Sequence, residues 1–168
     1  YEPMTEKTLT KEDVSKLLTD PSGDNRAQTA AKIAADFGQG SLTESERTMA
    51  EEIFRIMVKD AEVRVREALA QNLKENPAVP RDVAMSLAKD VDSVSLPMIK
   101  FSEVLTDEDL IEIVRDQGES KQVAVAQRPS VSPRVADALV DTGNEKAVAR
   151  LVANDGAKLT GKLLGRVM

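Results

Sequence analysis

Residues 105–140 read LTDEDLIEIVRDQGESKQVAVAQRPSVSPRVADALV, a succession of short apolar segments separated by polar breaks. The same order returns elsewhere with different residues: a short apolar helix, a polar break, a capping residue and another short apolar helix. Equivalent apolar positions recur every 26 to 30 residues and form two series, Leu69, Ile99, Val125, Leu151 and Val79, Leu105, Val131, Leu159. A period in this range is typical of stacked helical repeats, in which no single unit can bury its own apolar face.

From residue 25 onward the periodicity predicts five helix pairs. The first helices are expected at 25–37, 62–74, 94–102, 120–127 and 145–154, and the second helices at 44–59, 81–89, 107–117, 133–141 and 161–168. Such short helices are not stable alone, so neighbouring repeats must bury their apolar stripes. We therefore predict an all-α solenoid of about five helix pairs over residues 25–168, preceded by an N-terminal helix and turn segment over residues 1–24.

The second helices have the clearest start signals. Thr43 and Glu46 match a capping box, and Thr106 precedes three carboxylates in the positive first turn of a helix. Ser132 is followed by Pro133, which places a capping hydroxyl before a proline at the first helical position. These signals indicate at which residue the second helix of each of these repeats begins.

The composition favours a binding protein over an enzyme. The chain contains no His and no Cys, which removes the usual general base, the common zinc ligands and thiolate chemistry. Residues 86–89 match the S-x-x-K spacing of some serine acyl-transfer enzymes, but they fall at the end of a repeat helix without a partner motif. The acidic residues 107–109 fit compensation of the helix dipole better than a cation site. We predict no catalytic residue, no metal and no cofactor.

Polar residues recur at the ends of the first helices. They are Asn72, Ser102, Arg128 and Asn154. One interpretation is a row of donors that binds a peptide backbone or an anion of a partner. The other, which the pattern favours, is capping of helix C-termini together with hydrogen bonds between adjacent repeats.

The C-terminal segment is locally basic in a chain of net charge −6. The spacing of four residues keeps Lys158, Lys162 and Arg166 on one helical face. This stripe is the best signal of partner contact, although such stripes are more often solvated faces. The helix over 160–168 ends in apolar residues without a capping glycine, so we expect the array to continue beyond Met168. We also expect its open end to self-associate or to dock onto the sequence that follows.

Three segments resemble a known family: LTDEDLIEIV at 105–114, VAVAQR at 123–128 and LVANDGA at 151–157. They are similar to a bacterial family, found mostly in alphaproteobacteria, that is known only as a domain of unknown function. Pro97 matches the family's proline inside one first helix. The resemblance covers residues 25–168 and implies a right-handed, HEAT-like array, with no catalytic residue carried over; residues 1–60 depart most from the pattern.

Two classes of function remain open. The leading one is a non-enzymatic scaffold whose concave surface binds another protein. The alternative is a nucleic-acid-associated HEAT-like protein, which needs a basic concave face and aromatic residues for stacking. Three Phe, one Tyr and a net charge of −6 argue against nucleic acid as the partner. No apolar run is long enough to span a membrane and no secretory signal is visible, so we expect a cytoplasmic protein.

Overall fold

A computed structural model describes residues 19–40 and 42–157 of the chain. Within these ranges the protein is all-α, with nine helices and no β-strand. The helices are α1 (Gly23–Gly38), α2 (Glu44–Met57), α3 (Val63–Leu73), α4 (Arg81–Ala88), α5 (Asp92–Phe101), α6 (Asp107–Asp116), α7 (Glu119–Ala126), α8 (Pro133–Asp141) and α9 (Glu145–Ala153). The helix expected before residue 19 and the one expected over 161–168 lie outside the described residues.

The predicted helices between residues 25 and 154 are confirmed, each with bounds within two residues of the prediction. Their start signals act as expected. Thr43 and Glu46 form the reciprocal capping box, with the Thr43 hydroxyl accepting from the Glu46 N–H at 3.1 Å. Thr106 forms a second box with Asp109, and the Ser132 hydroxyl caps α8 ahead of Pro133. Local sequence therefore determines where these helices begin.

The helices pack on their neighbours in chain order. The first helices of the pairs form a continuous row, with α1 on α3, α3 on α5, α5 on α7 and α7 on α9. Among the second helices, extensive backbone contact is found between α6 and α8 in the described part of the chain. Consecutive helices connect the two rows, as α1 with α2 and α8 with α9 do. The first helices are thus the more closely packed row.

The two apolar series form the core between repeats. Leu69, Ile99, Val125 and Leu151 are all fully buried. Val79, Leu105 and Val131 are also buried, and Leu159 lies outside the described residues. All of the described members belong to one continuous cluster that runs through the helix pairs. The predicted burial of both series is confirmed for these residues.

Candidate functional site

Arg128, which follows α7, caps the C-terminus of α5 in the preceding repeat. Its Nη1 donates to the carbonyl of Ile99 at 2.5 Å, and its Nη2 donates to the carbonyl of Ser102 at 2.8 Å. Carbonyls at the end of a helix have no partner within the helix, so these bonds satisfy groups that would otherwise be unpaired. Ser102 is itself fully buried, and its hydroxyl accepts from the N–H of Val104 at 3.3 Å.

Asn154 makes the equivalent connection one repeat later. Its side-chain amide donates to the carbonyls of Ala126 and Arg128, both at 2.8 Å. Its side-chain oxygen accepts from the N–H of Gly156, which closes the turn after α9. The turn is held against the preceding loop, because the N–H of Val131 donates to the carbonyl of Gly156 at 3.1 Å. Asn154 therefore ties the end of α9 to the end of α7.

Asn72 is the exposed member of the four predicted polar residues. Its side-chain amide donates to the carbonyl of Ala68 in its own helix at 2.8 Å. Ser102, in contrast, is buried, and Arg128 and Asn154 are partly buried. Of these four residues, Asn72 is therefore the one that is exposed to solvent.

The Arg128 guanidinium is a partly buried cation that makes no ion pair with a carboxylate in the described part of the chain. Burial lowers the pKa of Arg128, while the nearby charges of Asp107 and Glu103 act in the opposite direction. An arginine nevertheless stays protonated in proteins. The negative end of the α5 dipole, at Ile99 and Ser102, provides the compensating charge. The Nε atom of Arg128 is buried and has no hydrogen-bond partner among the described residues.

The basic stripe Lys158, Lys162 and Arg166 lies outside the described residues. Two further cations close to it in sequence, Lys146 and Arg150, are described and exposed on α9. Neither makes an ion pair with a described residue.

A second set of inter-repeat contacts, not found by sequence reasoning, lies at the opposite ends of the first helices. Arg26 in α1 makes a bidentate contact with the Asp60 carboxylate, at 2.9 Å from Nε and 3.1 Å from Nη2. Arg66, at the same position of α3, repeats this contact with Asp90 at 2.7 Å and 3.2 Å. Bidentate geometry fixes both distance and orientation. The spacing D-x5-R, at residues 20–26 and again at 60–66, is the sequence signal that could have revealed the series.

The later first helices lack the arginine that makes this ion pair in α1 and α3. Ser95 occupies the equivalent position of α5, where its buried hydroxyl has no partner among the residues described. Gln122 occupies it in α7 and makes a neutral link instead, since its oxygen accepts from Asn144 at 2.8 Å and its amide donates to the Val114 carbonyl at 2.9 Å. At this position α1 and α3 therefore make ion pairs with the following repeat, whereas α7 makes neutral hydrogen bonds.

The outer surface of the second helices is charged, and much of this charge is paired between neighbouring helices. The pairs are Arg55 with Asp82, Arg81 with Asp109, Lys89 with Glu112 and Arg134 with Glu108. The hydrogen bonds from Arg55, Arg81 and Arg134 hold the pKa values of Asp82, Asp109 and Glu108 below their usual range.

These pairs also account for two motifs singled out in the sequence. Asp109 and Glu108, from the acidic residues 107–109, are bound to arginines of neighbouring helices. In the S-x-x-K segment, Lys89 contacts Glu112 while Ser86 is exposed on the same helix. Glu108, Asp109 and Lys89 thus take part in contacts between helices.

An open groove of about 640 Å³ lies between α6 and α8 and is lined largely by charged residues such as Glu112, Arg115 and Asp137. Binding sites for small molecules are more often enclosed and apolar. Within 19–40 and 42–157, no group of acidic residues is arranged to hold a metal ion. None of the helices described is long and apolar enough to cross a membrane.

Comparison with known proteins shows a family match in the later part of the chain. Residues 94–168 match a family described as an uncharacterised protein conserved in bacteria (DUF2336). The matched part begins in α5, and residues 25–93, which the resemblance in the sequence also included, lie outside it. No curated protein and no solved structure matches the chain. The later repeats are therefore similar to a bacterial family of unknown function.

Proposed function

We propose that the protein is a non-enzymatic helical-repeat scaffold that binds another protein, built as a right-handed, HEAT-like superhelix of about five helix pairs. The observation that carries this proposal is the unbroken row of first helices from α1 to α9, each packed on the next. A row of this kind leaves a long surface on each side, which is the feature that repeat proteins use to bind partners. The matched family is bacterial, and we place the scaffold in a bacterial cytoplasm.

The contacts within the two rows of helices indicate which side of the array is concave. Helices at the inner radius of an arc lie closer together than those at the outer radius. The first helices contact one another along the whole row, whereas the second helices do so extensively at α6 and α8. We therefore assign the first helices to the concave side. Small-angle X-ray scattering tests this architecture: an elongated, curved particle is expected, and a compact globular profile would contradict it.

The binding function is tested by affinity capture from the bacterium that encodes the chain, followed by titration of the purified partner. A saturable complex at physiological salt is the expected result. An electrophoretic shift assay at low salt tests the alternative class, because a nucleic-acid binder would retard labelled DNA or RNA under those conditions. A shift of nucleic acid without any protein complex would overturn the proposal.

A further inference from the structure

The first helices are linked near their N-terminal ends, and α5 differs from the others there. In α1, α3 and α7 the fourth residue after the N-cap binds a side chain at the start of the next repeat. These links are Arg26 with Asp60, Arg66 with Asp90 and Gln122 with Asn144. In α5 the fourth residue is Ser95, which is fully buried and whose hydroxyl has no hydrogen-bond partner among the described residues. The contact between the N-terminal halves of α5 and α7, called the α5–α7 joint, therefore lacks this link.

A buried lysine lies at the same joint. Lys121 is the third residue after the N-cap of α7. The equivalent residues of α3, α5 and α9 are apolar and buried, namely Val65, Val94 and Ala147. The Nζ atom of Lys121 lies 3.9 Å from the Asp92 carboxylate, which is longer than a hydrogen bond. The α5–α7 joint therefore holds an ammonium group at a position that is apolar in these three helices.

A solvent-exposed contact connects the N-terminal ends of α5 and α7. The Ser120 hydroxyl donates to the Asp92 carboxylate at 2.8 Å, and the Asp92 side chain is 54% exposed. Water competes for charged groups at such positions, so exposed contacts contribute little to stability. In the links of Arg26 and Arg66, by contrast, no side chain is more than 15% exposed. The connection at the α5–α7 joint is therefore the weaker one.

Other contacts hold the remaining sides of this joint. At the C-terminal ends, the Arg128 guanidinium binds the carbonyls of Ile99 and Ser102. Among the second helices, α6 packs on α8 with extensive backbone contact. The C-terminal ends and the second helices are thus held together, while the N-terminal ends of α5 and α7 lack a buried polar link. This arrangement provides a pivot and an end that separates from it.

We propose that the α5–α7 joint is a hinge, at which the N-terminal ends of α5 and α7 separate about the Arg128 contacts and the α6–α8 packing. Opening exposes the Ser95 hydroxyl and the Lys121 ammonium to water, and this gain in solvation offsets part of the lost apolar contact. Opening the joint between α3 and α5 instead breaks the bidentate pair of Arg66 and Asp90. The hinge changes the spacing of the first helices and with it the curvature of the array. This inference goes beyond the proposed binding function, because the hinge operates with or without a partner.

The test measures distances across three successive joints in the whole chain. Nitroxide labels are attached to cysteines introduced at exposed positions in the first turns of α3, α5, α7 and α9, which are Val63, Ser93, Glu119 and Glu145. The chain has no Cys of its own, so labels attach only at these positions. The labelled pairs are Val63→Cys/Ser93→Cys, Ser93→Cys/Glu119→Cys and Glu119→Cys/Glu145→Cys. Pulsed EPR gives the distance distribution of each pair, and circular dichroism establishes that every variant folds.

The labels on Ser93→Cys/Glu119→Cys report the α5–α7 joint. They should show a second population at a longer distance, amounting to about 10% of the molecules. The pairs across the joints on either side should each show one population, because buried links hold those joints. Equal distributions at all three joints would overturn the proposal.

Replacing both buried polar groups by apolar ones should close the hinge. In Ser95→Ala/Lys121→Met the second population should fall at least about fivefold, because closure no longer leaves a polar group unpaired. The matched control is Ser86→Ala/Lys146→Met, which makes the same changes at exposed positions of α4 and α9 and should leave the population as it is. An unchanged population in the first variant, or an equal fall in the control, would mean that the buried hydroxyl and ammonium do not cause the opening, and the proposal would be wrong.

Arg66→Met tests the link itself at a joint where it is present. The variant removes the bidentate contact with Asp90, so a second population should appear between the labels on Val63→Cys/Ser93→Cys. If the distribution stayed single, the missing link would not distinguish the α5–α7 joint, which contradicts the hinge. All of these measurements use the chain without a partner, so their outcome is separate from that of the capture experiment that tests the scaffold function.

Discussion

Arg66 donates from Nη1 to the main-chain carbonyl of Asp60, while the carboxylate of the same Asp60 accepts a hydrogen bond from Arg26. Asp60 therefore connects two successive arginines, one through its side chain and one through its main chain. Arg26 repeats the main-chain contact one step earlier, with the carbonyl of Asp20. The side chains of Arg26 and Asp60 are each 13% exposed, so this link lies at the edge of the core.

We expect Asp60→Asn to lower the free energy of unfolding by about 2 kcal/mol, because it leaves a largely buried arginine without its counter-charge. The matched control is Asp82→Asn, which breaks the pair with Arg55. That pair is 40% and 61% exposed, and exposed pairs contribute less than about 1 kcal/mol. Urea unfolding measures both variants, and equal losses would contradict the role given to Asp60.

Arg128→Lys tests the fork that caps α5. A lysine is a point donor and cannot reach the carbonyls of Ile99 and Ser102 together in the planar geometry of a guanidinium. Since a buried acceptor left unpaired costs about 1–3 kcal/mol, the variant should lose about that much stability although its charge is kept. Thermal unfolding followed by circular dichroism gives the value. A midpoint equal to that of the unmodified chain would mean that charge alone is required.

Gly156→Ala should be strongly destabilising. A Cβ at Gly156 would lie 1.8 Å from the carbonyl oxygen of Pro129, so the turn would have to move away and break the bond from Val131. We expect a loss of roughly 2 kcal/mol or more, as for overpacked sites. Gly118→Ala is the control, because a Cβ there meets nothing within 4 Å and its φ of −80° suits any residue. Hydrogen exchange of the Val131 amide should accelerate in Gly156→Ala only.

Leu151→Ala removes a fully buried side chain from the apolar series, and we expect it to cost about 2–4 kcal/mol. The adjacent Val152 is 49% exposed, so Val152→Ala should change stability by no more than about 0.5 kcal/mol. Denaturant midpoints of the two variants give the comparison. If Leu151→Ala and Val152→Ala changed stability equally, the buried face assigned to α9 would be wrong.

Stability should be constant from pH 7 to pH 5 and fall in acid. Burial raises the pKa of Asp60, but the hydrogen bonds from Arg26 and from the Glu62 N–H, together with the charges of Arg26 and Arg66, lower it overall, and the pKa values of Asp82, Glu108 and Asp109 are lowered by their arginines. A carboxylate with a lowered folded pKa adds stability above its unfolded value of about 4, and this is lost as pH falls further. The chain has no His to titrate at higher pH. Urea midpoints at pH 7, 5, 4 and 3 check this, and a decline between pH 7 and 5 would contradict it.

The positions of the helices could be predicted closely because their signals are local. Caps such as Thr43 and Thr106 act within one helical turn, and the spacing of Leu69, Val125 and Leu151 reports the repeat directly. The four polar residues at the helix ends were also found from sequence, but not their partners. Sequence reasoning did not distinguish a free donor from one bound to the preceding repeat, as Arg128 is to Ser102.

The charged contacts could not be read in the same way. Arg26 and Asp60 are 34 residues apart, whereas Arg66 and Asp90 are 24 apart. Because the loops differ in length, a fixed period does not align these partners.

The packing of each helix on its neighbours in the chain has a consequence for folding kinetics. Extensive contacts join consecutive or alternate helices, so closing them requires only short loops of chain. Chains dominated by such short-range contacts fold in microseconds to milliseconds, and the proposed helical-repeat scaffold would start folding at any point and spread outwards. A nascent chain can thus complete its early helix pairs while the later ones are still being synthesised, without waiting for its C-terminus.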